Sequence, residues 1–331
     1  MQKLPFEKIK REIIAKKQAK SNPEYGCKPE KRPVDELIDY GIINLDKPKG
    51  PTSHQVSDYV QRILKINKSG HSGTLDPAVT GILPIATGRA TRIVQTLLKA
   101  GKEYIGIMHL HKEINEKTIK KVCKEFVGKI KQLPPIKSAV KRVEREREIY
   151  YFEILEINGK DVLFRVGAEA GTYIRKLCFD IGKRLGIGAH MAELRRTKVG
   201  PFDEKKNLVT LQDLADAYWF WKNKGNEKYV KYCIQPIETA VSHLAKIWVM
   251  DSAVNSLCHG ADLKIPGVVK FESGIKKEES VAVMTLKNEL IAIGTAQTIS
   301  EDIKKKDKGM VVKIHKVFMK PGNYPKIEVK K

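Results

Sequence analysis

The apolar positions of this chain change period along its length, and the changes mark its elements. "YGIINLDKPKG", from Tyr40 to Gly50, is a short apolar run broken by Pro48 and Gly50. That pattern predicts a buried strand ending in a turn. In "TSHQVSDYVQRIL" the apolar residues Val56, Val60, Ile63 and Leu64 recur at helical spacing, with Ser53 in the capping position. "ATRIVQTLLKAG" predicts a second helix stopping at Gly101, "KEYIGIMHLH" alternates as a strand does, and "EKTIKKVCKEF" is helical again. "IYYFEILEI" and "VLFRVGAEA" flank Asn158 and Gly159, a pairing that predicts a β-hairpin. "TYIRKLCFDIGKRLG" places Ile174, Leu177, Cys178, Ile181 and Leu185 on one helical face, with Gly186 as its stop. "LQDLADAYWFWK" is a further helix. From Leu244 the texture shifts to short strands ("KIWVM", "VAVMTL", "LIAIGTA", "MVVKIHKVF") between Gly and Pro turns, the mark of a small β-rich domain.

These patterns predict an α+β protein in four parts. Residues 1–38 form an extension that carries Pro5, Pro23, Pro29 and Pro33. Residues 39–243 form the central domain, 244–325 the β-rich domain and 326–331 a basic tail. A chain of 331 residues is long enough for two or three real cores.

Composition changes the picture in two ways. Five scattered cysteines (Cys27, Cys123, Cys178, Cys233, Cys258) without a CxxC pair argue against a disulfide framework and against zinc. With no apolar run of the ~18 residues a membrane span needs, the expectation is an intracellular, cytoplasmic protein. Charge says more. The chain holds 62 Lys and Arg against 39 Asp and Glu, a net charge of +23. A surplus of one sign attracts polyanions. It is uneven: residues 1–33 and 301–331 each hold ten basic and four acidic residues, net +6 apiece.

Against that background one acidic residue stands alone. Asp76, in "GHSGTLDP", is the single carboxylate between Tyr59 and Lys102, an interval with seven Lys or Arg. Gly70, Gly73, Gly81 and Pro77 predict a rigid loop around it. Metal-dependent nucleases gather several carboxylates, glycosidases use two, and serine hydrolases need a base beside the nucleophile. A lone carboxylate suits another task. It can stabilise or attack an electron-poor sugar carbon while the base departs, turns and reattaches. Such an isomerisation needs no metal, redox cofactor or water nucleophile. A buried arginine would hold the carboxylate ionised and still. As a plain turn residue, Asp before Pro is equally at home.

"GHSGTLDPAVTGILPIATGRAT" closely resembles the catalytic segment of the TruB-type pseudouridine synthases. "INLDKPKGPTSHQV" resembles their first motif, and "AGTYIRKLCFDIG" the motif carrying their active-site arginine. "QLPPIKSAVKR", "EIYYFEILEINGKDVLFRVG" and "GAHMAELRRTKVGPF" resemble the archaeal dyskerin-type branch, the catalytic subunits of box H/ACA guide ribonucleoproteins. The similarity runs from about Glu36 to Phe318 in the right order.

The resemblance implies a mixed, largely antiparallel sheet with flanking helices and a small β-barrel PUA domain, against which the N-terminal extension packs. It implies that Asp76 is the catalytic aspartate acting at C1′ of the ribose and that Arg175 pairs with it. Tyr104 matches the tyrosine stacked on the flipped base. Tyr173 and Leu177 match residues lining the uracil pocket, although a core role on the helix predicts the same residue types. His71 matches a histidine near the displaced nucleotide. Lys47 and Pro48 match a pair that supports the active-site loop. "SLCHGADLKIPGV" is most similar to the RNA-facing part of PUA domains. No cofactor is implied. The implied partners are box H/ACA guide RNA, rRNA and tRNA substrates, and three small proteins: a zinc-ribbon-type, a glycine-arginine-rich-type and a kink-turn-binding subunit. The compact stretch between Met108 and Leu133 fits a guide that positions the target. A guide-independent synthase of the tRNA T-loop, a non-enzymatic RNA-binding protein and a metal-dependent nuclease stay open beside this reading.

Overall fold

The computed structural model describes residues 2–134 and 143–326, so residues 135–142, the last eight of "QLPPIKSAVKR", and residues 327–331 of the basic tail lie outside the described residues. The chain divides into two compact units. One joins Ile9–Tyr40 to the residues from Pro236 onward; the other joins the residues up to Lys8 to Gly41–Gln235.

In the first of these, β1 (Ile13–Ala15) pairs antiparallel with Val268–Glu272, Ile13 opposite Glu272 and Ala15 opposite Lys270. The sheet continues through Ala245–Val249, Ser280–Thr285, Leu290–Ala296 and Met310–Val317 to Leu263–Lys264. Alternate residues point to one core: Ala245, Ile247 and Val249 meet Phe271, Val281 and Val283. The extension is tied down by charge as well as by backbone. Buried Arg32 grips Glu238 through two hydrogen bonds of 2.8 and 2.7 Å, the forked geometry that makes arginine–carboxylate pairs specific. Arg11 donates to the Ser273 carbonyl at 2.9 Å and pairs with Glu279. A six-residue helix, α1 (Val34–Asp39), follows Pro33. It is too short to leave a periodic trace, which is why the extension reads as patternless in sequence.

The other unit contains, in chain order, β2 (Gly41–Lys47), α2 (Ser53–Leu64), β3 (Ser69–His71), β4 (Thr80–Thr87), α3 (Val94–Leu98), β5 (Lys102–Leu110), α4 (Glu116–Glu125) and β6 (Gly128–Gln132). Then come β7 (Arg145–Asn158), β8 (Asp161–Ala168), α5 (Ile174–Arg184), β9 (Ala189–Val199), β10 (Phe202–Asp203), β11 (Leu208–Val209), α6 (Leu211–Lys224) and α7 (Lys228–Cys233). The sheet order is β11-β2-β4-β9-β5-β8-β7-β6, with β3 joined to β4 and β10 to β9. The β4–β9 and β2–β11 ladders are parallel, and the other ladders of this path are antiparallel. The predicted hairpin is β7–β8; Asn158 faces Asp161 and the turn rests on Gly159 at φ +56°.

One face of this sheet is the core that carries the site. Tyr104, Met108 and Leu110 of β5 and Val162, Phe164 and Val166 of β8 alternate toward it. Ile174, Leu177, Cys178 and Ile181 of α5 and Ile119, Val122 and Cys123 of α4 cover it. Fully burying each large aliphatic side chain contributes about 1.5–3 kcal/mol. Gly182 lets α5 approach β9: a Cβ there would lie 2.1 Å from the Ala189 nitrogen.

Two element boundaries differ from the sequence reading. Thr52, not Ser53, caps α2; its hydroxyl accepts from Gln55 N–H while the Gln55 side chain accepts from Thr52 N–H. "ATRIVQTLLKAG" is only partly α-helical: a 3₁₀ turn over Gly88–Ile93 precedes the five residues of α3. Thr91, Ile93 and Val94 are β-branched, which disfavours a long regular helix. Among the described residues no helix is long and apolar enough to cross a membrane.

Candidate active site

Asp76 lies on the connection between β3 and β4, and its backbone is fixed on both sides. Before it, Leu75 N–H donates to Ser53 Oγ at 2.8 Å, and that hydroxyl lies 3.3 Å from the Leu75 carbonyl. After it, the Pro77 carbonyl accepts from Gly50 N–H at 2.9 Å and from Lys47 Nζ at 3.2 Å. Val79 N–H closes the turn onto the Asp76 carbonyl at 3.0 Å. Leu75 and Val79 are buried and pull the loop onto the core.

Lys47 is fully buried at the end of β2 and supports this loop from below. Its ammonium donates to the carbonyls of Pro48 (2.9 Å), Pro77 (3.2 Å) and Val79 (2.9 Å). Burial and, less strongly, the Arg196 charge push its pKa down; the Asp76 charge opposes them. Pro48, whose carbonyl takes one of these bonds, is itself exposed.

Arg175 is the second residue of α5, and its guanidinium Nη2 contacts Asp76 Oδ2 across 99 residues of sequence. Tyr173 leads into that helix. Gln132 of β6 holds it in both directions: its side-chain oxygen accepts from Tyr173 N–H at 2.9 Å, and its amide donates to the Tyr173 carbonyl at 3.2 Å. The ion pair is not buried. Asp76 and Arg175 side chains are 52% and 56% exposed. Thr74, Pro77 and Ala78 around the carboxylate are exposed too, so no protein layer covers it. A surface ion pair contributes only about 0–1 kcal/mol to stability. Its importance here is geometric: it aims a carboxylate.

Tyr104 is 8% exposed and shares the core cluster with Leu75, Val79 and Leu177, directly behind the loop. Leu177 is fully buried. His71 ends β3, opposite Ile85, and its Nε2 lies 3.0 Å from Nδ1 of His54. The structure thus brings Asp76, Arg175 and Lys47 together and sets Tyr104 and Leu177 beneath them. A cavity of about 450 Å³ opens along α5 beside Lys176, Asp180 and Arg184, with Phe126 and Ile130 opposite; Asp76 is not among its walls.

Three supporting residues escape the sequence reading. Ser53 reads there as a helix cap, and Gln132 opens "QLPPIKSAVKR" with no role assigned to it. Arg196 lies within "GAHMAELRRTKVGPF", where nothing singles it out from Arg195. In β9 it turns inward and is 1% exposed. It donates to the carbonyls of Ile82 (2.8 Å) and Gly73 (3.1 Å). Burial pushes its pKa down, and the neighbouring Tyr104 side chain opposes that shift. Gly81, opposite Arg196 in the parallel ladder, has φ +101°, and a Cβ there would lie 2.3 Å from the Arg196 carbonyl oxygen. Among the described residues no group of three or more His, Cys, Asp or Glu is placed to hold a metal ion.

Four family models match the chain in sequence: DKCLD (NUC011) domain over 1–57, TruB family pseudouridylate synthase (N terminal domain) over 61–174, tRNA pseudouridylate synthase B C-terminal domain over 175–242, and PUA domain over 245–318. A protein of Pyrococcus abyssi named "Probable tRNA pseudouridine synthase B" is 57% identical over 320 residues, covering 96% of both chains. Its namesake in Methanopyrus kandleri is 53% identical over 324 residues, 98% of this chain and 95% of that one. Among solved structures, the chain matches one described as "Crystal Structure of a Cbf5-Nop10-Gar1 Complex" with TM-score 0.93 and 55% identity over 98% of each chain. A second, "Structure of H/ACA RNP bound to a substrate RNA containing 2'-deoxyuridine", matches with TM-score 0.91 and 52% identity over 98% of this chain and 99% of that one. An arginine-aimed carboxylate, a PUA domain and similarity along nearly the full length lead to one conclusion: the chain belongs to the TruB family of pseudouridylate synthases.

Proposed function

We propose that this synthase acts on uridines presented by a box H/ACA guide RNA, with Asp76 as the catalytic carboxylate and Arg175 as its orienting partner. The observation that carries the catalytic assignment is the Asp76–Arg175 contact, made between a pinned loop and the first turn of α5. The guided reading draws on the Cbf5-Nop10-Gar1 complex and on the H/ACA RNP with its substrate RNA, whose named components stand for the partners proposed here. A kink-turn-binding protein completes the proposed set, and the cytoplasm is the proposed compartment.

The target uridine leaves its stack, since its glycosidic bond is out of reach otherwise. Tyr104 meets the uracil face, with Tyr173 and Leu177 beside it and His71 by the displaced nucleotide. Asp76 acts at C1′ as the C1′–N1 bond breaks. The uracil turns and C5 bonds to C1′. The C5 proton is lost and N1 gains one, so the product is an isomer of the substrate. The exposed carboxylate supports this order of events: the RNA itself supplies the cover that excludes water. The PUA unit and its "SLCHGADLKIPGV" segment would hold the guide, mostly through phosphate.

The test is reconstitution of the full chain with guide RNA and the three partner proteins, followed by mapping pseudouridine in the paired target. Asp76→Asn should bind RNA as the parent does and form no pseudouridine. Turnover by that variant would remove Asp76 from the chemistry. The relatives are named for tRNA, so tRNA without guide is the second arm. Equal modification there would assign a guide-independent activity.

A further inference from the structure

Two consecutive residues at the start of α2 hold the two ends of one short segment. Ser53 binds the backbone of Leu75, and His54 meets the ring of His71. Between those anchors lies the segment that delivers Asp76. The His54 contact is a ring-to-ring hydrogen bond, His71 Nε2 to His54 Nδ1 at 3.0 Å, with ring centroids 4.8 Å apart. The other nitrogen of His71, Nδ1, is buried and meets no hydrogen-bond partner among the described residues. The Oγ of Ser72, the next residue in sequence, is in the same state.

These facts select one proton arrangement. If His54 donated, the proton of a neutral His71 would sit on buried Nδ1 with no acceptor. Buried donors without acceptors are costly and rare. If His71 Nε2–H donates instead, Nδ1 keeps only a lone pair, and His54 carries its proton on Nε2. His54 is exposed and can satisfy that proton with water. The ring is also held neutral. Burial first, then the charges of His54 and Arg196, push His71 down to about 4.

We propose that His54 is a positioning residue: it fixes His71 in one orientation and one neutral tautomer, with the proton on Nε2, and so sets the entry of the loop that carries Asp76. The proposal rests on Asp76 as the catalytic carboxylate. It assigns His54 no contact with the reacting atoms. Its loss should therefore slow the chemical step and leave RNA affinity intact.

Three forms of the full chain test this: wild type, His54→Ala and His54→Asn. Asparagine keeps a hydrogen-bonding atom where Nδ1 stands. Long-range ¹⁵N–¹H spectra of the histidine-labelled, RNA-free protein should show His71 of the wild type as the Nε2–H tautomer. His54→Ala should give a mixture of tautomers, and His54→Asn should restore a single one. In the guided assay at saturating RNA, His54→Ala should lower the single-turnover rate about fivefold to tenfold, the loss of one hydrogen bond. Its RNA Kd should stay within about twofold, and His54→Asn should recover most of the rate. An unchanged His71 tautomer in His54→Ala overturns the proposal, as does an unchanged rate. A loss confined to Kd overturns it too and makes His54 an RNA contact. The spectra need no activity, so an active Asp76→Asn would remove the catalytic reading while leaving the histidine pair measurable.

Discussion

At the scale of single residues, the site depends on cations that do different jobs. Arg175 is exposed and aims the carboxylate; Lys47 and Arg196 are buried and hold backbone. Lys47 makes its case by geometry, since one ammonium meets three carbonyls, Pro77 and Val79 after Asp76 and Pro48 at the end of β2. Lys47→Met keeps the length and removes the donor. It should lower stability by about 2 kcal/mol, the net of losing charge-assisted bonds and relieving a buried charge. Turnover should fall further than RNA affinity, because the loop under Asp76 loses its support. Urea unfolding and single-turnover kinetics on the same preparation read both effects. Asp76 was legible in the sequence because it stands alone among cations, and Arg175 through its motif. Arg196 was not, because "RRTKV" holds two arginines and nothing local says which faces inward. Only strand register decides, pairing Arg195 with Asp46 (2.9 and 3.0 Å) and sending Arg196 beneath the loop.

At the scale of elements, α2 shows how a local rule and a tertiary one compete for the same residue. Ser and Thr both cap helices well. Thr52 takes the cap, which releases the Ser53 hydroxyl to bind Leu75. Sequence alone placed the cap one residue late because the partner of Ser53 lies 22 residues downstream. Thr52→Ala removes the capping box and should cost about 1 kcal/mol. It should leave the Asp76 loop in place, so the thermal midpoint should drop while the single-turnover rate holds; a large rate loss would mean that the cap also positions Ser53 and His54. The long patterns of α5, β5 and the β7–β8 hairpin were readable because each buries one face at a regular period. The helix predicted at Ala90–Gly101 and the unpredicted α1 mark the opposite limit: five or six residues carry too little period to distinguish an α-helix from a 3₁₀ turn or a loop.

At the scale of the whole molecule, acid should weaken the fold before it reaches the ordinary carboxylate range. His71 and His243, one in each unit, are both pushed down to about 4, chiefly by burial. The unfolded chain binds those protons near the ordinary 6.5 while the folded chain resists them. The stability they contribute is complete above pH 6.5 and is lost progressively as the pH falls toward 4. The urea midpoint should therefore be lower at pH 5 than at pH 7.5, and replacing His71 and His243 with Gln should flatten that difference.

The edge strand β1 has a consequence in time. Ile13 can pair with Glu272 only after the intervening residues have been made. At synthesis rates of ~5–20 residues per second, that leaves the segment waiting roughly ten to fifty seconds on the ribosome. Over that interval its lysines and arginines stay open to nucleic acid. The segment around β1 cannot settle until the strand it pairs with has been made.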